Sequence, residues 1–157
     1  MNIKNEDFAD VYNVMVVNEY EDIRKLINTF DSCFTPSLSD SEINLERLSK
    51  KFFEYAKIYA VYDDEQLCNG MIAFYVNDKK EKIAYISLLA VKSEYRRKKI
   101  GSLLMQIVEK VAKQSGMQSI KLEVKKENNK AISFYKKNGY VKCQEASKCS
   151  IYMSKRL

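Results

Sequence analysis

The sequence contains no histidine and no tryptophan, a single proline, four glycines and four cysteines among its 157 residues. Without histidine, Ser-His-Asp and Cys-His nucleophile systems are excluded, as are His-ligated zinc hydrolases. Proton transfer must use Asp, Glu, Tyr, Lys, Cys, the backbone or water. Cys33, Cys68, Cys143 and Cys149 contain no C-x-x-C pair, so neither a structural zinc site nor a thioredoxin-like motif is indicated, and no metal is expected. A chain of this length does not need disulfide staples, which fits reduced thiols in a cytoplasmic protein. The longest nearly uninterrupted apolar run, residues 83–91, is far short of a membrane span. The opening Met1-Asn2-Ile3-Lys4-Asn5-Glu6 is polar, with no signal-peptide apolar stretch behind it. A cytoplasmic location without membrane association is therefore expected. With no linker, repeat or low-complexity tract, one domain over residues 1–157 is expected as well.

What is present is ordinary globular usage, 46% hydrophobic and 31% charged. Twenty-seven Lys+Arg against 21 Asp+Glu give a net charge of +6. Such a balance favours an anionic partner, namely nucleic acid, an acidic membrane surface or a phosphate-bearing cofactor, without choosing among them.

Valine-rich residues 11–17 predict a first strand, and Asn18 can cap the helix that follows. In that helix Ile23, Leu26, Ile27 and Phe30 fall at i, i+3, i+4 and i+7. Residues 31–39 contain Thr35-Pro36-Ser37 and read as a loop. Ser39 with Glu42 has the spacing of a capping box, opening a second helix that reaches about Tyr55 and carries Ile43, Leu45, Leu48, Phe52 and Phe53. Strand-like runs at 58–62, 67–76 and 82–91 are joined by short polar turns and predict antiparallel hairpins, with Gly70 either a turn or a bulge. Residues 100–115 hold helical spacing for three turns, and Gly116 suits the position just past the helix end. Residues 118–124 alternate as a strand, 129–138 form a short helix stopped by Gly139, and 140–143 with 150–153 suggest a last hairpin. The layout is α/β with a mixed sheet, mostly antiparallel at first, and a parallel crossover around the long helix.

One segment stands apart: Leu88-Leu89-Ala90-Val91-Lys92-Ser93-Glu94-Tyr95-Arg96-Arg97-Lys98-Lys99-Ile100-Gly101-Ser102. A buried strand empties into a basic loop that feeds the start of an amphipathic helix. The first helical turn offers unpaired N–H groups and a partial positive charge. Gly101 allows close approach, Ser102 adds a hydroxyl, and Arg96, Arg97, Lys98 and Lys99 add cations. These are the ingredients of a phosphate or pyrophosphate site, although a basic run of this kind also suits a solvated surface or a nucleic-acid patch.

The stretch from Arg96 to Gly101 resembles the R/Q-x-x-G-x-G/A motif of the GCN5-related N-acetyltransferase (GNAT) superfamily. Downstream, Leu122-Glu123-Val124, Asn128, Ala131-Ile132, Phe134-Tyr135 and Gly139-Tyr140 are similar to that family's LEV…N-x-x-A-I-x-x-Y…G-F stretch. The resemblance covers residues 58–140 well and the preceding part by architecture. It implies a GNAT-like mixed, mostly antiparallel sheet flanked by helices on both faces, with acetyl-CoA as co-substrate and no metal. Lys99 stands in place of the motif's first glycine, Ser93 where proline is frequent, and Tyr140 for phenylalanine. If the Lys99 position needs a positive φ, strain of about 1 kcal/mol or more is expected. If it does not, Lys99 adds a cation near the phosphates.

The resemblance implies that the loop Arg96, Arg97, Lys98, Lys99, Ile100, Gly101 and Ser102 holds the pyrophosphate, and that backbone N–H groups of Leu89, Ala90 and Val91 face the cofactor. It implies that Tyr135 protonates the departing thiolate and that Asn128, which can equally cap a helix, hydrogen-bonds the cofactor. Glu123 matches the proton acceptor of the ribosomal-protein alanine acetyltransferases. A surface carboxylate paired with Lys121 or Lys125 is the plain alternative, and Glu81, Tyr85 and Ser87 are other candidate bases. The acceptor side would be lined by residues 31–39 and the helix after them, with Tyr55, Tyr59, Tyr62, Tyr75 and Tyr85 adding aromatic surface.

The expected function is acetyl-CoA-dependent acetylation of a primary amine on a small molecule or amino sugar by direct attack. The alternatives are a protein N-terminal acetyltransferase, a basic nucleic-acid-binding module, or a non-catalytic acyl-CoA-binding regulator. The absence of Trp and of any helix-turn-helix or RNA-reading motif counts against nucleic acid. A homodimer is left open.

Overall fold

The computed structural model describes residues 12–34 and 36–157. Its elements follow the order the periodicity suggests. Seven strands form one sheet with the spatial order β1-β2-β3-β4-β5-β7-β6, numbered along the chain: β1 Asn13–Val16, β2 Lys57–Tyr62, β3 Cys68–Asp78, β4 Ile83–Val91, β5 Ser119–Lys125, β6 Val141–Glu145 and β7 Ser150–Arg156. The helices are α1 Tyr20–Phe30, α2 Leu45–Tyr55, α3 Ile100–Gln114 and α4 Asn129–Lys137. The described residues divide into two compact units, one of those up to residue 73 with 88–104, the other of 74–87 and 105–157.

In the first unit, β1 pairs antiparallel with β2. Val11, placed in the first strand from the sequence, lies outside the described residues. The α1 stripe is buried as its spacing requires, with Ile27 and Phe30 at most 1% exposed. Each such side chain contributes roughly 1.5–3 kcal/mol by leaving water. Asn18 does not cap α1. The cap position is Glu19, which makes no side-chain bond, while Glu21 and Asp22 in the first turn complement the helix dipole. The capping box at Ser39 and Glu42 is also absent. Ser39 is engaged elsewhere, its N–H and hydroxyl both donating to the Asp31 carboxylate. The helix waits for Asn44, whose Oδ1 accepts the Arg47 N–H at 2.9 Å. Ile43 therefore precedes α2 and is exposed, as is Phe53 on its outer face. Gly70 does not form a turn but lies within β3. A Cβ there would meet Ile100 Cγ2 at 2.7 Å, so the residue is small because the helix start packs directly on it.

In the second unit, β4 and β5 pair in parallel from Ile83↔Ser119 to Ile86↔Leu122, the crossover expected around α3. Ile120, Leu122 and Val124 point into the core and alternate with half-buried or exposed Ser119, Lys121, Glu123 and Lys125. α3 ends at Gly116, at φ +77°, where the Met117 N–H closes on the Ala112 carbonyl at 2.9 Å. β5 and β6 both pair antiparallel with β7, and β6 is exposed along its whole length. Among the described residues no helix is long and apolar enough to cross a membrane.

Candidate functional site

In the first unit, β4 leads into a 3-10 turn at Ser93–Tyr95 and then into the basic loop. Arg96 Nε donates to the Val91 carbonyl at 3.2 Å, folding the loop back on the strand end. Arg97 and Lys99 both adopt left-handed backbone, at φ +69° and +61°. The positive φ at the place of the motif glycine is thus real, and a second one, at Arg97, has no signal in the sequence. Each costs about 1 kcal/mol or more for a residue with a Cβ. Lys99 is the residue before the helix, and its carbonyl takes the first intrahelical bond from the Leu103 N–H at 3.0 Å. Its side chain carries no oxygen with which to cap. The amides of Ile100, Gly101 and Ser102 therefore precede the first i to i−4 bond and have no partner within the helix. Arg96, Arg97, Lys98 and Lys99 are all exposed around this turn. Open amides, a positive helix end and four cations suit a bound diphosphate.

Leu89, Ala90 and Val91 lie on β4 past the Ile83–Ile86 register with β5. Ala90 is buried, while Leu89 and Val91 are partly exposed. The Lys92 N–H, just beyond, donates to the Asn69 carbonyl at 3.0 Å.

The second unit holds Glu123, Asn128 and Tyr135. Tyr135, on α4, stacks edge-to-face with Phe134 at 5.4 Å and lies 6.1 Å from the Tyr140 ring. Its carbonyl accepts the Tyr140 N–H at 3.0 Å, fixing the helix end. Burial pushes the Tyr135 phenol up to about 12. Tyr140 is driven upward as well, by burial first and then by the Glu109 carboxylate. Asn128 Oδ1 accepts the Ala131 N–H at 3.1 Å and caps α4. The cap leaves the Nδ2 protons for another acceptor.

Glu123 lies opposite Tyr152 in the β5–β7 ladder. Its carboxylate accepts a hydrogen bond from Ser150 Oγ, which in turn lies 2.8 Å from Ser147 Oγ. Lys121, one of the two lysines considered as its partner, sits instead over the Tyr152 ring at 4.1 Å. Tyr85, opposite Lys121, is pushed up to about 12 by burial and then by the Glu123 charge. Ser150 was not visible in the sequence, because it lies 27 residues from Glu123 and meets it only through strand pairing. Glu81 stands apart from Tyr85 and Ser87, which lie on β4 itself. It sits in the β3–β4 turn, where its N–H donates to Asp78 Oδ1 at 3.0 Å.

On the side expected to meet the acceptor, Asp31–Cys33 form a short 3-10 turn, while Thr35 lies outside the described residues. Tyr59, Tyr62, Tyr75 and Tyr85 are partly exposed strand residues and Tyr55 is exposed at the end of α2. Residues 1–73 carry 7 Lys+Arg against 14 Asp+Glu, a net −7, whereas residues 74–157 carry 20 against 7, a net +13.

The profile of the Acetyltransferase (GNAT) family matches residues 23–140. A spermidine N(1)-acetyltransferase of Thermoplasma acidophilum is 37% identical over 68 residues, a segment that spans 43% of this chain and 42% of that protein. The crystal structure of a PaiA N-acetyltransferase from the same organism, in complex with coenzyme A, superposes with a TM-score of 0.69 at 20% identity, covering 92% of this chain and 99% of that one. The ribosomal-protein-S18-alanine N-acetyltransferase of Escherichia coli superposes with a TM-score of 0.71 at 14% identity, covering 92% and 93%. At these identities the superpositions speak for the fold.

Proposed function

The chain belongs to the GNAT acetyltransferase family, and from that membership we propose that it acts as one acetyltransferase domain, transferring acetyl from acetyl-CoA to a primary amine of a small molecule. The observation that carries this reading is the left-handed loop at Arg97 and Lys99, which ends in three amides open to an anion. Backbone held in an unfavourable region clusters at ligand-binding sites.

The amides of Ile100, Gly101 and Ser102, with Arg96, Arg97, Lys98 and Lys99 around them, hold the diphosphate. Acetyl-CoA supplies the activated acetyl thioester. The N–H groups of Leu89, Ala90 and Val91 orient the acyl arm, and Asn128 offers Nδ2 while its oxygen caps α4. The family's division of labour gives Tyr135 the proton for the departing thiolate. A phenol raised to about 12 keeps that proton throughout the neutral range. Glu123 takes a proton from the incoming ammonium, its carboxylate oriented by Ser150. No covalent acyl-enzyme is required, since the amine itself is the nucleophile.

The acidic balance of residues 1–73 supports a cationic acceptor. A surface of opposite charge concentrates and steers such a molecule before it binds. An aliphatic polyamine fits this best, in line with the activity named for the Thermoplasma relative. The test is a thermal-shift comparison of acetyl-CoA, coenzyme A and a control polyanion, followed by thiol release with spermidine, an amino sugar and a peptide N-terminus as acceptors. Stabilisation by both CoA compounds but not by the polyanion, with release fastest on spermidine, is the expected outcome. Equal stabilisation by the polyanion would replace the enzyme with a general polyanion binder. Release only with the peptide would move the acceptor to proteins.

A further inference from the structure

We propose that Asp63, in the turn between β2 and β3, is a positioning residue that holds the phosphate-binding loop in its left-handed form through the Tyr95 hydroxyl. The proposal rests on the loop's reading as a CoA site, and all of its parts lie in the first unit.

The two carboxylate oxygens of Asp63 have separate tasks. Oδ1 accepts the N–H groups of Glu65 at 3.0 Å and Leu67 at 2.9 Å, which closes the turn. Oδ2 is then directed away from the turn. It accepts Asn69 Nδ2 at 3.2 Å and the Tyr95 hydroxyl at 3.1 Å, a contact spanning 32 residues of chain. Asn69 is fully buried, and its carbonyl accepts the Lys92 N–H at 3.0 Å. One hairpin therefore grips the 3-10 turn on both sides, through Lys92 before it and Tyr95 at its end.

The next residues include two with left-handed backbone, Arg97 and Lys99. Four like charges in a row add repulsion to that cost. A loop so loaded relaxes unless something outside it fixes its first residue. A phenol donating to an ionised carboxylate is among the stronger hydrogen bonds available for that purpose. The proton assignment is consistent with this. The Leu67 N–H, with the Asn69 and Tyr95 donors, holds the Asp63 carboxyl below its usual range, and the bond to Asp63 raises the Tyr95 phenol. Lys98 Nζ sits 5.1 Å from the Tyr95 ring, so the same side chain also steadies a loop cation.

Two variants separate this from a general role in folding. Asp63→Asn keeps Oδ1 for the turn and removes Oδ2 as acceptor, while Tyr95→Phe removes only the hydroxyl. Each is expected to weaken coenzyme A binding about tenfold in calorimetry and to raise KM for acetyl-CoA with kcat unchanged. Hydrogen exchange of the amides at 96–103 should accelerate by a similar factor. The double variant should be no worse than the poorer single one, since the Tyr95–Asp63 contact is already lost in each, and Asp63→Asn, which also loses the Asn69 bond, should be the poorer. Wild-type affinity and exchange in both single variants, or fully additive losses in the double, would overturn the proposal. A native chain that takes up no coenzyme A would sink the functional reading instead, and the exchange rates alone would then decide the role of Asp63.

Discussion

α4 begins at Asn128, whose side-chain oxygen takes up the Ala131 N–H, whereas α3 begins behind Lys99, which has no oxygen to offer and leaves the amides of Ile100, Gly101 and Ser102 open. The first start is closed by the chain itself and carries a tyrosine whose phenol burial holds at about 12. The second is strained at Arg97 and Lys99 and ringed by cations. A helix start that the chain completes is built for stability. One that it leaves incomplete, at a conformational cost, is suited to completion by an anion, as the proposed function requires.

The contrast can be broken in four places. The largest effect is expected at α4. Tyr135→Phe should lower kcat by roughly 100-fold or more while coenzyme A affinity stays within about twofold, because on the proposed mechanism it removes the proton donor and no phosphate contact. Steady-state kinetics beside calorimetry would show this, and unchanged kcat would remove Tyr135 from the acid role.

Gly70→Ala comes next. Its new methyl would meet Ile100 Cγ2 at 2.7 Å, with Leu104 Cδ1 at 3.3 Å. Overpacking of this kind costs about 1–3 kcal/mol. The displaced helix start should also bind coenzyme A more weakly, read by thermal melting with and without ligand. Asn128 sharpens the comparison further. Asn128→Ala should lose about 1 kcal/mol of stability with the cap. Asn128→Asp should keep the cap, so any loss of acetyl-CoA affinity it shows belongs to Nδ2.

Lys99→Gly has the smallest predicted effect on function. It should raise stability by about 1 kcal/mol, and so Tm by roughly 2–4 °C, because glycine accepts φ +61° freely. The loss of a cation should make coenzyme A binding slightly less dependent on salt.

The titration of Tyr135 gives a sign that can be checked as well. Its folded pKa lies above the ordinary value near 10. Its contribution to stability is therefore complete below about pH 10 and drains away as pH rises toward 12. A turnover profile flat from pH 8 to 10 on its alkaline side is expected; an alkaline loss centred near pH 9 would assign the proton to another group.

Much of this is readable from the amino acids alone because it is periodic. The stripes of α1 and α3, the alternation of β5 and the glycines that end α3 and α4 are local signals, and local signals survive without coordinates. The start of α2 is misread from sequence because Ser39 has two partners to choose from, and the winner, Asp31, lies eight residues away on the other side of a loop. The motif glycine points to strain at Lys99, but nothing points to Arg97, since arginine carries no turn preference. Ser150 behind Glu123 and Asp63 beneath Tyr95 are invisible for a common reason. Their contacts cross 27 and 32 residues and exist only once strands and hairpins are in register.

The end of α4 is fastened from outside the helix as well as from within it. Lys155 on β7 donates to Glu109 of α3 at 2.7 Å and to the Asn138 carbonyl just past α4 at 2.9 Å, and its aliphatic stem covers Gly139. The end of α4 is closed locally by the Asn138 amide and side chain and by the Gly139 and Tyr140 amides, and the Lys155 ammonium adds a tie from that end to β7 and α3. A single ammonium group thus couples three elements that are far apart in the chain, α3, α4 and β7.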